Sequence, residues 1–186
     1  VTITPFNTTA FEGNEIIINT LVEMLKEQLP EAVETVEKLY EDGLELEAPA
    51  QIVHYIPIKS ILEGGQPIFG VGEFPTRYEK DTEFMLEGIN GLAIMIIATN
   101  SDHYTLNRML RRYRRAVQLT IQRDREKPAF GEQSILKTKA GVWYTAFKNT
   151  EPGPLLGEAD PESLGEPPTS YTSWAGLHVE FTRNEI

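Results

Sequence analysis

The sequence contains no cysteine, which removes disulfide frameworks, thiolate metal sites, thiol redox chemistry and a cysteine nucleophile together. Histidine is scarce, with three, and positive charge is outweighed: 17 Lys and Arg stand against 28 Asp and Glu, a formal net charge of -11. Nucleic acid and anionic lipid are both polyanions, so so acidic a chain argues against general affinity for either. Long hydrophobic runs are missing too. The longest, Leu92 to Ala98, is strand-length, far below the roughly 18 apolar residues of a membrane span. The opening residues Val1 to Asn7 lack the charged-then-apolar pattern of a secretory leader, and Asn7-Thr8-Thr9, formally a glycosylation acceptor, is taken as chance. These absences predict an intracellular-type chain without a membrane segment, metal or cofactor.

What is present is enough for one core. At 186 residues with 40% apolar and 24% charged positions, the chain has ordinary globular composition and the length of one domain, 1–186. Ile17, Leu21, Met24, Leu25 and Leu29 recur at helical spacing over Asn14 to Leu29. Pro30 interrupts the pattern, and Val33, Val36 and Tyr40 resume it until Gly43, so one kinked helix or two consecutive helices would fit. Ile52 to Ile58 predicts a strand with Pro57 at an edge or end, Pro67 to Phe74 a second short strand, and Pro75 to Thr82 a loop. Leu92 to Ala98 is apolar on both faces, which predicts a central strand covered on each side. Asn100-Ser101-Asp102 then offers helix-capping side chains before the clearest helix, Tyr104 to about Arg123, with Leu106, Met109, Leu110, Tyr113, Val117 and Ile121 as its buried stripe. Further strands are expected at Ser134 to Lys139, Val142 to Phe147 and Trp174 to Thr182. In the last, Leu177, Val179 and Phe181 alternate with His178 and Glu180. Glu151 to Pro168 is rich in proline, glycine and acid and predicts a long acidic loop or arm. The fold class is therefore α/β of the α+β kind: a small mixed or antiparallel sheet flanked by an N-terminal helix and a long arginine-rich helix.

Chemistry is hard to find in this pattern. His54, His103 and His178 fall in different elements without a metal-binding spacing, and only His103, beside Asp102, has an obvious polar neighbour. Gly64-Gly65 and Gly70-Val71-Gly72 lack both the dinucleotide fingerprint and a Gly-Lys-Ser/Thr, so they are turn glycines. The acids between Glu12 and Glu47 form a solvated face, and no Gly-x-Ser-x-Gly elbow exists. The one unusual feature is Arg108, Arg111, Arg112, Arg114 and Arg115. At about 100° per residue, Arg108, Arg111, Arg112 and Arg115 lie opposite the buried stripe, with Arg114 at the flank and Leu119 among them. This face is either a solvated helix back or a subunit interface, because guanidinium forks suit carboxylates and the rest of the chain is acidic.

The opening helix, the Ile52 to Ile58 strand, the Gly/Pro-rich hairpin, the buried strand ending in Ala98-Thr99-Asn100, the helix running through Tyr104-Thr105-Leu106-Asn107-Arg108-Met109-Leu110-Arg111-Arg112-Tyr113, and the closing strands together resemble the tail terminator proteins of long-tailed bacteriophages and their neck and tail-completion relatives. The resemblance spans most of Asn14 to Thr182. It implies a non-enzymatic virion protein, assembled in the host cytoplasm, that forms a homo-oligomeric ring, a hexamer. Such a ring caps the tail tube protein, meets a head-side connector or stopper protein, and lets DNA pass through its lumen without specific binding. Other readings compete: another neck or head-tail joining protein of such phages, a non-viral small-ligand or nucleic-acid-binding module using the Arg108 to Arg115 face, and an enzyme with a carboxylate site near Glu73, Glu79 or Asp81.

Overall fold

The computed structural model of the protein describes residues 9–55, 65–80, 86–149, 156–158 and 170–183. The chain forms, in order, helix α1 (Thr9–Tyr40), strands β1 (Gln51–His54), β2 (Ile68–Lys80) and β3 (Leu86–Asn100), helix α2 (His103–Glu126), and strands β4 (Val142–Asn149), β5 (Leu156–Glu158) and β6 (Ser170–Arg183). A 3-10 turn (Lys127–Phe130) and a π-helical turn (Leu136–Ala140) link α2 to β4. Within the acidic segment 151–168, residues Leu156–Glu158 form β5; the rest of it lies outside the described residues.

Pro30 sits inside α1 without ending it. A mid-helix proline costs about 3 kcal/mol, but Leu25, Leu29, Ala32, Val33 and Val36 continue one fully buried stripe across it. Burying a valine contributes roughly 1.5–3 kcal/mol, so Val33 and Val36 together offset the break. The single-helix alternative is the one adopted.

The strands make one mixed sheet in the order β1-β2-β3-β6-β4. β1 runs parallel to β2, and the other pairs are antiparallel. β6 pairs with β3 from Tyr171 to Thr182, so β4 and β5, which meet it at Leu177–Arg183 and Ser170–Thr172, share its other edge. The Pro75 to Thr82 loop expectation is corrected up to Lys80, because β2 continues to that residue. Its register slips between Phe74 and Arg77, and that irregularity accommodates Pro75, which has no N–H to give the ladder. β1 is an edge strand as expected, though it ends at His54; Pro57 lies outside the described residues.

One core holds the layers together. Leu92, Ile94, Ile96 and Ala98 of β3, Phe69 and Val71 of β2, and Ala175, Leu177, Val179 and Phe181 of β6 join the apolar sides of α1 and α2 in a single buried cluster. All ten share one face of the sheet by register. α1 lies over β1 and β2, and α2 over β3, β6 and β4. The expectation that β3 is covered on both sides holds in part: on the face away from the helices Ile97 and its cross-strand partner Ile68 are buried, while Met95 on that same face is 39% exposed.

The strand expected at Ser134 to Lys139 is also overturned, since Leu136–Ala140 forms the π-helical turn. Asp124, fully buried near the end of α2, imposes this. Its carboxylate accepts hydrogen bonds from Ser134 Oγ (2.8 Å), Ile135 N–H (2.8 Å) and Leu136 N–H (3.1 Å), with Lys127 Nζ at 3.5 Å. Ser134 Oγ in turn accepts from Lys137 N–H at 3.1 Å. The β-branched composition of the segment loses to a charged acceptor that needs several donors.

Asp124→Ala leaves those donors buried without their acceptor. It is expected to cost about 3 kcal/mol and to lower the melting temperature by roughly 6–12 °C, with Asp124→Asn losing less. A melting curve within about a degree of wild type would remove Asp124 as the organiser of this turn.

Candidate functional site

The arginine helix is built from both ends. Asn100 Oδ1 accepts from Asp102 N–H at 2.9 Å, and the Asp102 carboxylate caps α2 by accepting from Thr105 N–H at 2.8 Å. Hydrogen bonding from Thr105, from its hydroxyl first and then its backbone N–H, holds the Asp102 carboxyl below the usual carboxylate range. From there α2 runs antiparallel beside α1: Arg123 meets Glu31 and Thr35, while Arg112 meets Tyr40.

α2 is buried on two sides, and this changes the expected arginine face. One side, with Leu106, Leu110, Tyr113, Val117 and Ile121, rests on the sheet. The second side carries Arg108 and Arg112 against the end of α1, where both guanidinium groups donate to Asp42 Oδ2. Arg112 Nη1 also donates to the Leu44 carbonyl at 3.4 Å, and its guanidinium carbon stacks 4.3 Å from the centroid of the Tyr40 ring. Arg112 is only 5% exposed. Its assignment as an outward interface residue is corrected: it is consumed within the chain, and Arg108 is half committed to the same carboxylate. Arg111 and Arg115 remain exposed, Arg114 is half-buried, and Leu119 packs against the core cluster. Arg108 lies 5.9 Å from the ring centroid of Tyr104, which is 66% exposed.

The partner of these arginines is a turn that the sequence reading had left within a solvated acidic face. Glu41 and Gly43 adopt positive φ (43° and 72°), a conformation suited to the glycine. Asp42 Oδ1 accepts from Leu44 N–H at 3.3 Å, Leu46 is buried, and the Glu47 carbonyl accepts from Tyr113 Oη–H at 3.0 Å. The turn is thus pinned at three places and presents Glu41 and Glu45 to solvent. An Asp-Gly pair directly after a helical pattern was the available signal; the pairing with arginines some 70 positions onward was not visible.

A second feature is the sheet face away from the helices. Met95 has glycine as both cross-strand neighbours, Gly70 on β2 and Gly176 on β6. Elsewhere on this face glycine makes room for rings. A Cβ on Gly72 would lie 3.2 Å from the Tyr55 ring, and one on Gly91 would lie 2.4 Å from His178 Nε2.

The remaining candidates do not converge. His54 is on β1, His103 is exposed at the start of α2 with its ring centroid 6.0 Å from that of Tyr171, and His178 is half-buried on β6. Glu73 is exposed on β2, Glu79 belongs to the same strand, and Asp81 lies outside the described residues. Among the described residues no three His, Asp or Glu side chains gather as a metal site requires, and no helix is long and apolar enough to cross a membrane. An open cleft of about 370 Å³ beside Glu31, Thr120, Arg123, Lys127 and Phe130 mixes both charges, and its cations already contact Glu31 and Asp124. The chemistry on offer is recognition by guanidinium, carboxylate and aromatic groups. In comparison with known proteins, the sequence matches no family model and no curated protein.

Burial, reinforced by the nearby Glu47 charge, pushes the Tyr113 hydroxyl well above its usual value. A group whose pKa is raised on folding contributes stability that is complete below its unfolded value, about 10, and is lost as pH rises beyond it. Tyr113→Phe, which removes one hydrogen bond, is expected to cost about 1 kcal/mol at neutral pH. Urea unfolding of both proteins should show the gap closing above about pH 10; a gap constant with pH would mean that the phenol does not resist ionisation.

Proposed function

We propose that the chain is a structural subunit of a homo-oligomeric ring of the tail terminator kind, built to contact copies of itself and neighbouring virion proteins. The observation that carries this reading is Met95, a large apolar side chain exposed in the middle strand of the sheet. Both of its directly opposite cross-strand neighbours are glycine, so neither of those positions offers a side chain to cover it. A subunit that associates has a use for such a face, because association removes the apolar surface from water. The resemblance in element order and in the α2 segment supplies the identity of the ring, and with it the tail tube, the head-side connector and a lumen through which DNA passes. The net charge of -11 favours passage of DNA over adhesion. The exposed Arg111 and Arg115 favour a second reading, a module for phosphate-bearing ligands.

Light scattering over a concentration series, with and without a short DNA duplex, separates the two. The ring reading expects a mass near six chains and no retention of the duplex. It also expects Met95→Glu to weaken association at least about tenfold, roughly 1.4 kcal/mol, without lowering the melting temperature. A chain that stays monomeric at every concentration and binds the duplex in a salt-sensitive way is the binding module instead.

A further inference from the structure

Charge is segregated on this molecule. α2 holds seven arginines and two acids, so seven of the chain's 17 basic residues lie in one helix of 24. Asp124, one of those acids, is buried and engaged with the turn after the helix. Arg108 and Arg112 are drawn toward Asp42. Arg111 lies about 60° further round the helix from Arg108, on the side away from α1. Arg111 and Arg115 are exposed, and the acidic turn, held by Asp42, Leu46 and the Glu47 carbonyl, is engaged with Arg108 and Arg112 instead. Two exposed guanidinium groups side by side are suited to the carboxylates of another molecule.

We infer that the outward face of α2, formed by Arg111, Arg115 and Tyr104, docks the acidic turn Glu41–Glu47 of a second copy of this chain. The inference rests on the ring reading and names the contact that would close the ring. Charge complementarity is its first support: Glu41 and Glu45 are exposed carboxylates, and Arg111 and Arg115 are exposed guanidinium groups, a pairing suited to forked hydrogen bonds. Each half also carries apolar anchors of the type found at the centres of interfaces. Leu39 (68% exposed) and Tyr40 (51%) stand beside the acidic turn, and Tyr104 stands on the basic face. The acidic half is rigid before any encounter, so little ordering entropy is lost on contact. Because the two halves are different patches on one chain, the contact can be repeated head-to-tail, the type that generates closed rings when the rotation closes.

Charge exchange tests it on the full chain. R111E/R115E and E41R/E45R should each weaken association by roughly 100-fold while melting within a few degrees of wild type, because all four positions are solvent-exposed. Mixing the two variants in equal amounts should restore the wild-type mass, because each then offers the other a complementary patch. Raised salt should weaken the wild-type assembly. If wild type assembles and R111E/R115E assembles equally well, or if the mixture fails to recover, this contact is wrong and the ring reading stands. If wild type never exceeds one chain, both fall.

Discussion

A guanidinium taken out of water requires a carboxylate, and Arg112 obtains one only because α1 ends where it does. Asp42 is about a third exposed and Arg112 is buried, so losing the carboxylate strands a guanidinium already taken out of water, and the Asp42 contact constrains the elements it touches. It brings α1 alongside α2 and shapes the Glu41–Gly43 turn. It also aims the following chain at β1, which then adds to β2 in parallel. Tyr113 reinforces the same arrangement from inside, with its ring edge-on to Phe69 at 5.6 Å and its hydroxyl on the Glu47 carbonyl. The helix layer and the sheet are thus tied at one corner by polar contacts and across their breadth by the apolar cluster.

That arrangement leaves the molecule asymmetric. Both helices lie on one side of the sheet, and among the described residues the other side is lined by glycine, by Tyr55 and His178, by buried Ile68 and Ile97, and by exposed Met95. The described surface separates into a basic helix back, an acidic turn and an apolar strand centre.

The sequence reveals what periodicity can carry. Both helices, the α2 cap at Asp102, the central position of β3 and the alternation of Leu177, Val179 and Phe181 are local patterns, and the fold follows them. The departures arise from contacts distant in sequence. Ser134–Lys139 has strand-like composition, yet Asp124 organises it as a turn. Arg112 belongs to a face that looks solvated on a helical wheel, yet α1 covers it. Ala93, Met95 and Ile97 look like a second buried face of β3, yet only Ile97 of the three is buried, because the helices lie on the other face. A wheel or an alternation reports the face of an element but not how many neighbours that face has.

β6 is the strand on which the sheet closes, pairing with β3, β4 and β5 at once, and it follows every other element in the chain. Its partner β3 is separated from it by α2, β4 and β5, so the central ladder is a contact of high sequence separation, a topology that folds slowly. During synthesis Leu92, Ile94 and Ile96 must therefore wait, with one edge of their strand unpaired, until the last strand emerges. A nascent chain halted before Ser170 exposes that apolar edge to its neighbours. Closure of the sheet therefore depends on the order in which the strands become available as well as on the strength of their contacts.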